Sequence, residues 1–214
     1  MKAFETVSFH IVKPCNMKCK FCYATFNDFK VDKQLSIDQI KVILDKLKKA
    51  NVKKITFAGG EPMLYKKLDQ AIIYAKSIGF VTSIITNGSL LSWDFLDKMQ
   101  NHLDWIGLSI DSLNPETNKL IGRETNYKFD YNHLITYIKH FNYKIKINTV
   151  VNIHNQNELL KEFVIKSGAT RWKVFDTLKV EGQNDKEFDS IKSTNFKNFV
   201  KKNETSLMVV ETNE

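Results

Sequence analysis

The chain has 214 residues, 43% hydrophobic and 12% aromatic, which is enough to bury a substantial core and fits a single α/β domain. No stretch is long and apolar enough to span a bilayer, and MKAFETVSFHIV enters strand-like alternation without a signal-type cleavage region, so a cytoplasmic protein with no membrane partner is expected. The net charge of +8 does not by itself specify a nucleic-acid partner: of 32 basic residues only Arg123 and Arg171 are arginine, and solvated surfaces carry such a lysine bias.

Short β-branched or aromatic runs alternate with longer helical patterns. TVSFHIV (6–12) is the first predicted strand. SIDQIKVILDKLKKA (36–50) follows as a helix, since Ile37, Ile40, Ile43, Leu44 and Leu47 recur at helical spacing and Ser36 is placed to cap the first turn. KKITFA (53–58) is the second strand, and KLDQAIIYAKSIG (67–79) the second helix, with Gly79 at its C-terminus. FVTSIIT (80–86), DWIGLSI (104–110), YKIKINTVV (143–151) and TRWKVFDTL (170–178) read as further strands. After Gly182 the sequence turns polar and charge-rich, a loop and a final helix before a last apolar run, LMVV (207–210). This order predicts parallel strands with right-handed crossovers. The length is short for an eight-fold barrel, so the expected fold is α/β, a partial (β/α)6 TIM-like barrel over residues 1–182 with 183–214 as a C-terminal extension packing on it.

Alternate residues of a strand share a face, so each run can be sorted by parity. Ile55 and Phe57 oppose Lys54, Thr56 and Ala58; Ile145, Ile147 and Val151 oppose Lys144, Lys146 and Asn148; Trp172 and Val174 oppose Arg171 and Lys173; Val7, Phe9 and Ile11 oppose Ser8 and His10. In a parallel sheet helices cover the apolar face and the other looks inward. An interior lined by Lys54, Lys146, Arg171 and Lys173 would leave uncompensated cations there, at a cost of several kcal/mol each, unless water or an anion fills it. The pattern points to a polyanionic ligand; an antiparallel sheet with one wet face is the alternative.

CNMKCKFC (15–22) holds all three cysteines of the chain, spaced C-x3-C-x2-C in one loop after the first strand. Structural zinc usually takes four protein ligands in two separated pairs. Soft thiolates suit iron–sulfur clusters, and a four-iron cube held by only Cys15, Cys19 and Cys22 keeps one iron open to an exogenous ligand. His10 lies upstream in the strand and is expected to line the interior. A three-thiol zinc site and merely buried cysteines are the competing readings.

With this spacing the sequence resembles the radical S-adenosylmethionine superfamily. The likeness rests on Cys15, Cys19 and Cys22, on Phe21 at the aromatic position before the third cysteine, and on GGEP (59–62) directly after a strand. It implies a [4Fe-4S] cluster on the cysteines and S-adenosylmethionine at Phe21, Gly59, Gly60, Glu61, Asn87, Ser89, Ser109 and Arg123. The glycines would let backbone approach the ligand and Glu61 would accept from its ammonium group.

CNMKCKFCYAT, KITFAGGEP, SIITNGSLL, LSIDSLNPETNKLIGR, IKINTVVN, RWKVF and VEGQN together resemble the viperins, the antiviral nucleotide-modifying branch of that superfamily. The resemblance implies removal of the ribose C4′ hydrogen of a nucleoside triphosphate and loss of its 3′-hydroxyl, giving a chain-terminating 3′-deoxy-3′,4′-didehydro nucleotide. It further implies substrate contacts at Ser8, Lys54, Lys146, Asn148, Arg171, Lys173 and Glu211, an electron donor such as flavodoxin or ferredoxin, a monomer, and no nucleic-acid partner. Two departures stand out. Ser8 occupies the place of a substrate-facing Asn in animal viperins, and the chain ends at Glu214, before the family's tyrosine-bearing tail; the amphipathic membrane helix of the animal proteins is also absent, which fits a soluble enzyme. The rival readings are a radical enzyme acting on RNA or peptide and a non-catalytic zinc-stabilised interaction module.

Overall fold

The computed structural model describes residues 5–26, 34–124, 130–184 and 191–212. Strands β1 (Thr6–Val12), β2 (Lys54–Gly59), β3 (Val81–Thr86), β4 (Trp105–Ser109), β5 (Lys144–Val151), β6 (Arg171–Asp176) and β7 (Met208–Glu211) alternate with helices α1 (Ile37–Lys49), α2 (Leu68–Ser77), α3 (Trp93–Met99), α4 (Pro115–Leu120), α5 (Tyr131–His140), α6 (Lys161–Lys166) and α7 (Ser193–Asn203). The strands follow chain order, and the pairs β1–β2, β2–β3, β5–β6 and β6–β7 are all parallel. This is the expected open α/β class. It has one strand more than six βα units require, because the run at 207–210 pairs in parallel with β6, Trp172 opposite Met208, as the short β7.

The chain forms two compact units that interleave in sequence: Met1–Cys15, Val31–Gly107 and His133–Lys144 in the first, and Asn16–Lys30, Leu108–Asn132 and Ile145–Glu214 in the second. In the first, Ser36 closes a capping box on α1, accepting from Gln39 N at 3.2 Å while Gln39 Oε1 accepts from Ser36 N at 2.9 Å. Ile37, Ile40 and Leu44 form the buried stripe of that helix. On the sheet Ile55, Phe57 and Ile84 are fully buried, each worth roughly 1.5–3 kcal/mol over its exposed state. The opposite face is polar at matched levels, with Ser8, Thr56 and Ser83 in one row and Thr6 and Lys54 in the next.

The second unit repeats this division. Ile147, Trp172 and Val174 are buried, Phe199 of α7 meets the Trp172 ring nearly edge-on, and the indole N–H donates to Thr149 Oγ1 at 2.9 Å. The other face carries Lys146 opposite Arg171 and Asn148 opposite Lys173. Residues 192–212 bring α7 and β7 to this unit; 185–190 and 213–214, also within the stretch read as an extension, lie outside the described residues.

Candidate functional site

In the first unit GGEP and TNGS are tied together by one buried carboxylate. Glu61, 1% exposed, accepts from Met63 N at 3.1 Å and Thr86 Oγ1 at 2.6 Å on Oε1, and from Asn87 N at 2.8 Å on Oε2. Asn87 Oδ1 in turn accepts from Ser89 N and Ser89 Oγ at 2.9 and 2.6 Å. Glu61, Asn87 and Ser89 therefore form one connected network at the ends of β2 and β3. The two glycines have a cause in the chain itself. A Cβ on Gly59 would sit 2.3 Å from Val12 O, and one on Gly60 2.2 Å from Lys13 O and Pro14 O. Gly60 N and Glu61 N donate to Val12 O and Pro14 O, so this turn fixes the backbone entering Cys15.

In the second unit Phe21, Ser109 and Arg123 come together. Arg123 lies 5.8 Å from the Phe21 ring centroid and donates from Nη1 to Ser109 O at 3.0 Å, so Ser109 contributes its carbonyl. Its Nε donates to Asp111 Oδ2 at 2.5 Å, and Asp111 Oδ1 accepts from Val150 N. Burial works to lower the Arg123 pKa, but the Asp111 charge overrides it and the guanidinium titrates above its ordinary range. Burial also pushes the Tyr131 hydroxyl up to about 12, so this phenol stays neutral beside Ser109 O. Phe21 packs on Ile121 with Cys19 and Val150 against the pair.

Cys15 belongs to the first unit and Cys19 and Cys22 to the second. None is in a disulfide; Cys15 is exposed and the other two are half-buried. Among the described residues no three Cys, His, Asp or Glu side chains are gathered as for a metal ion. The donor set fits a cluster by its chemistry, three soft, accessible thiols with no fourth cysteine in the sequence. His10 shares a strand face with Ser8, as expected, and burial lowers its pKa, which keeps the imidazole neutral.

The cations divide in the same way. Lys54 lies with its Nζ 4.5 Å from the Trp105 ring centroid in the first unit. In the second, Lys146, Asn148, Arg171, Lys173 and Glu211 share one face through β5, β6 and β7. Two parts of the sequence expectation need correcting. Lys173 is not uncompensated, because Glu211 pairs with it, and Arg171 is exposed, so the desolvation argument does not apply to it. Asn148 is 9% exposed, and its Oδ1 is a buried acceptor with no hydrogen-bond partner among the described residues.

Sequence reasoning missed four participants. Asp111, just after the predicted strand at 104–110, is the carboxylate that holds Arg123. Gly122 has φ +76, and a Cβ there would lie 2.0 Å from Lys18 O; Lys18 N and Lys20 N donate to Gly122 O and Ile121 O. Gln183 and Asn184 also bond to the cysteine loop. Only the proximity of LIGR and VEGQN to that loop reveals them, and no spacing encodes it.

Residues 11–164 match the family model of the Radical SAM superfamily. The chain is 44% identical over 219 aligned residues to an S-adenosylmethionine-dependent nucleotide dehydratase of Flammeovirga pacifica, covering 97% of this chain and 76% of that protein. It is 44% identical to one of Lacinutrix mariniflava over 88% of this chain and 42% of the relative, and 36% identical to the dehydratase RSAD2 of Danio rerio over 84% and 52%. Against the latter two, therefore, it spans about half the length or less. In fold it is similar to Streptococcus suis SuiB bound to S-adenosylmethionine, with a TM-score of 0.77 and 18% identity over 99% of this chain and 51% of that one.

Proposed function

The chain belongs to the radical SAM superfamily and, within it, to the S-adenosylmethionine-dependent nucleotide dehydratases, and on that footing we propose that it dehydrates a nucleoside triphosphate to its 3′-deoxy-3′,4′-didehydro form, a chain terminator suited to antiviral defence. Cys15, Cys19 and Cys22 would hold a [4Fe-4S] cluster, which when bound supplies the electron that splits S-adenosylmethionine and so starts removal of the C4′ hydrogen.

The chain's own residues orient and restrain. In the first unit the Glu61 carboxylate, already aligned by Thr86 and Asn87, receives the cofactor's ammonium group, and Asn87 and Ser89 offer polar contacts beside it. In the second, Arg123 is kept charged by Asp111 and offers its remaining donors to the cofactor's carboxylate, with Ser109 and Phe21 flanking it. Lys54, Lys146, Arg171 and Lys173 take the triphosphate oxygens, and Ser8, Asn148 and Glu211 the nucleoside. No helix of the described residues is long and apolar enough to cross a membrane, and an external one-electron donor of the flavodoxin or ferredoxin type supplies the reductant.

The observation that carries this reading is the buried Glu61 carboxylate accepting from Asn87 N, with the Asn87 amide oxygen in turn accepting from Ser89, in a chain that also bears the three-cysteine loop. The test is anaerobic reconstitution with iron and sulfide, then reduction with S-adenosylmethionine and CTP, UTP, GTP or ATP in turn. Mass detection should show 5′-deoxyadenosine together with a nucleotide lighter by one water. A colourless zinc protein, or cofactor cleavage only with RNA or peptide, would replace the proposal.

A further inference from the structure

The motif VEGQN (180–184) has no place in the chemistry above, yet its last two residues make side-chain bonds to the cysteine loop and to the residues just after it. Gln183 Oε1 accepts from Thr25 N at 3.0 Å, from Phe26 N at 3.1 Å and from the Thr25 hydroxyl. Asn184, 2% exposed, donates from Nδ2 to Phe21 O and Leu178 O, both at 2.9 Å, and accepts from Val180 N at 2.8 Å. Cys22 therefore sits in a stretch bound on both sides, at Phe21 by Asn184 and at Thr25 and Phe26 by Gln183. Phe26 has φ +58, a left-handed conformation that costs a non-glycine residue about 1–2 kcal/mol, and its N–H is one of those Gln183 holds. From the other side the turn at Gly122 fixes Lys18 and Lys20 around Cys19.

We propose that Gln183 and Asn184 are positioning residues for the metal centre: they hold the segment carrying Cys22 in the arrangement that receives the cluster, so that only part of the cage must be ordered by the metal itself. This rests on the reading of Cys15, Cys19 and Cys22 as cluster ligands. The chemistry of the Asn184 amide makes the proposal specific. Asn184 donates and accepts at once, so a carboxylate cannot take its place; it would set oxygen against the Phe21 and Leu178 carbonyls.

The test compares wild type with Gln183→Leu, Asn184→Asp and Thr25→Val. Each is checked for folding by circular dichroism before loading, then reconstituted anaerobically. The readouts are iron and sulfide per chain, the rate of iron loss to a chelator, and the electron paramagnetic resonance spectrum of the reduced centre. Gln183→Leu and Asn184→Asp, each losing two or more bonds, should release iron about tenfold faster or more and show a broadened or shifted spectrum. Thr25→Val, losing one bond while keeping the side-chain shape, should fall between, and it decides the matter if the larger changes prevent folding.

Equal loading and equal iron loss in folded Asn184→Asp, Gln183→Leu and Thr25→Val would overturn the positioning role while leaving the cluster reading intact. A wild type that takes up no iron and sulfide would remove the cluster reading and this inference with it.

Discussion

Arg123 Nε and Asp111 Oδ2 stand 2.5 Å apart, with 6% and 1% of the two side chains exposed. Burial pushes the Asp111 carboxyl above its ordinary range despite the neighbouring cation, while Asp111 keeps Arg123 charged against its own burial. The pair is therefore an expensive device for presenting one guanidinium. Removing a partner strands the other: Asp111→Ala should cost about 3–5 kcal/mol, whereas replacing both by leucine should cost less, because no buried charge is left over. Urea unfolding of the wild type, the single and the double variant measures this. A double variant less stable than Asp111→Ala would show that the pair stabilises through attraction rather than through mutual neutralisation.

Glu211 gives Lys173 a counterion, and a phosphate drawn to Lys173 would meet that carboxylate. Inorganic triphosphate, which lacks a sugar, isolates the effect. Glu211→Gln should tighten its binding two- to fivefold, about the 0.5–1 kcal/mol of a partly exposed pair, with the gain shrinking at high salt. Lys173→Ala and Lys146→Ala should weaken it and leave S-adenosylmethionine affinity unchanged. Calorimetry showing equal loss of both ligands in the lysine variants would count against their assignment to the phosphates.

The strands were legible because burial imposes period two, most clearly in β6, where Trp172 and Val174 are buried and Arg171 and Lys173 are not; in β2 Thr56 and Ala58 are buried along with Ile55 and Phe57, so there the alternation is one of polarity and size. β7 was legible only as an apolar run, since four residues carry too little period to fix direction. The cysteines and GGEP were legible because their chemistry is local in sequence. What escaped was tertiary. Asp111 and Asn184 look like turn residues until folding brings Arg123 and Phe21 to them. Gly59 and Gly60 were read as making room for a ligand, whereas the atoms nearest their missing Cβ positions belong to Val12, Lys13 and Pro14.

Acid should weaken the first unit through Asp104. Burial by itself raises this carboxyl, but the bonds from Lys76 at 2.6 Å and from Thr82 N at 2.8 Å outweigh it, and the net shift is downward. A depressed carboxyl contributes stability that is fully present above its unfolded value, about 3.9, and is lost as pH falls through the folded one. Melting temperatures taken from neutral pH downward should fall more steeply below about pH 4 in the wild type than in Asp104→Asn, which has no proton to gain there. Parallel curves would place the acid sensitivity elsewhere. The pair is about one-third exposed, so the difference should be modest and smaller at high salt.

Glu61 joins the ends of β2 and β3, and its proposed duty toward the cofactor can be tested apart from that by a substitution at Thr86. Its carboxylate accepts three bonds, on two oxygens. Glu61→Gln keeps one acceptor and turns an amide donor toward either the Asn87 N–H or the Met63 N–H. That should cost about 1–3 kcal/mol of stability for the bond left unmade. It should also remove the charge that the cofactor's ammonium would meet, lowering S-adenosylmethionine affinity about tenfold or more. Thr86→Val deletes the 2.6 Å hydroxyl bond to Glu61 and the 3.0 Å bond that Gly88 N donates to the same hydroxyl, so it should lose about 1–3 kcal/mol and leave cofactor affinity within about twofold. Thermal unfolding paired with equilibrium binding separates the two duties. If affinity falls in Thr86→Val as far as in Glu61→Gln, Glu61 acts on the cofactor only by keeping the β2 and β3 ends in place.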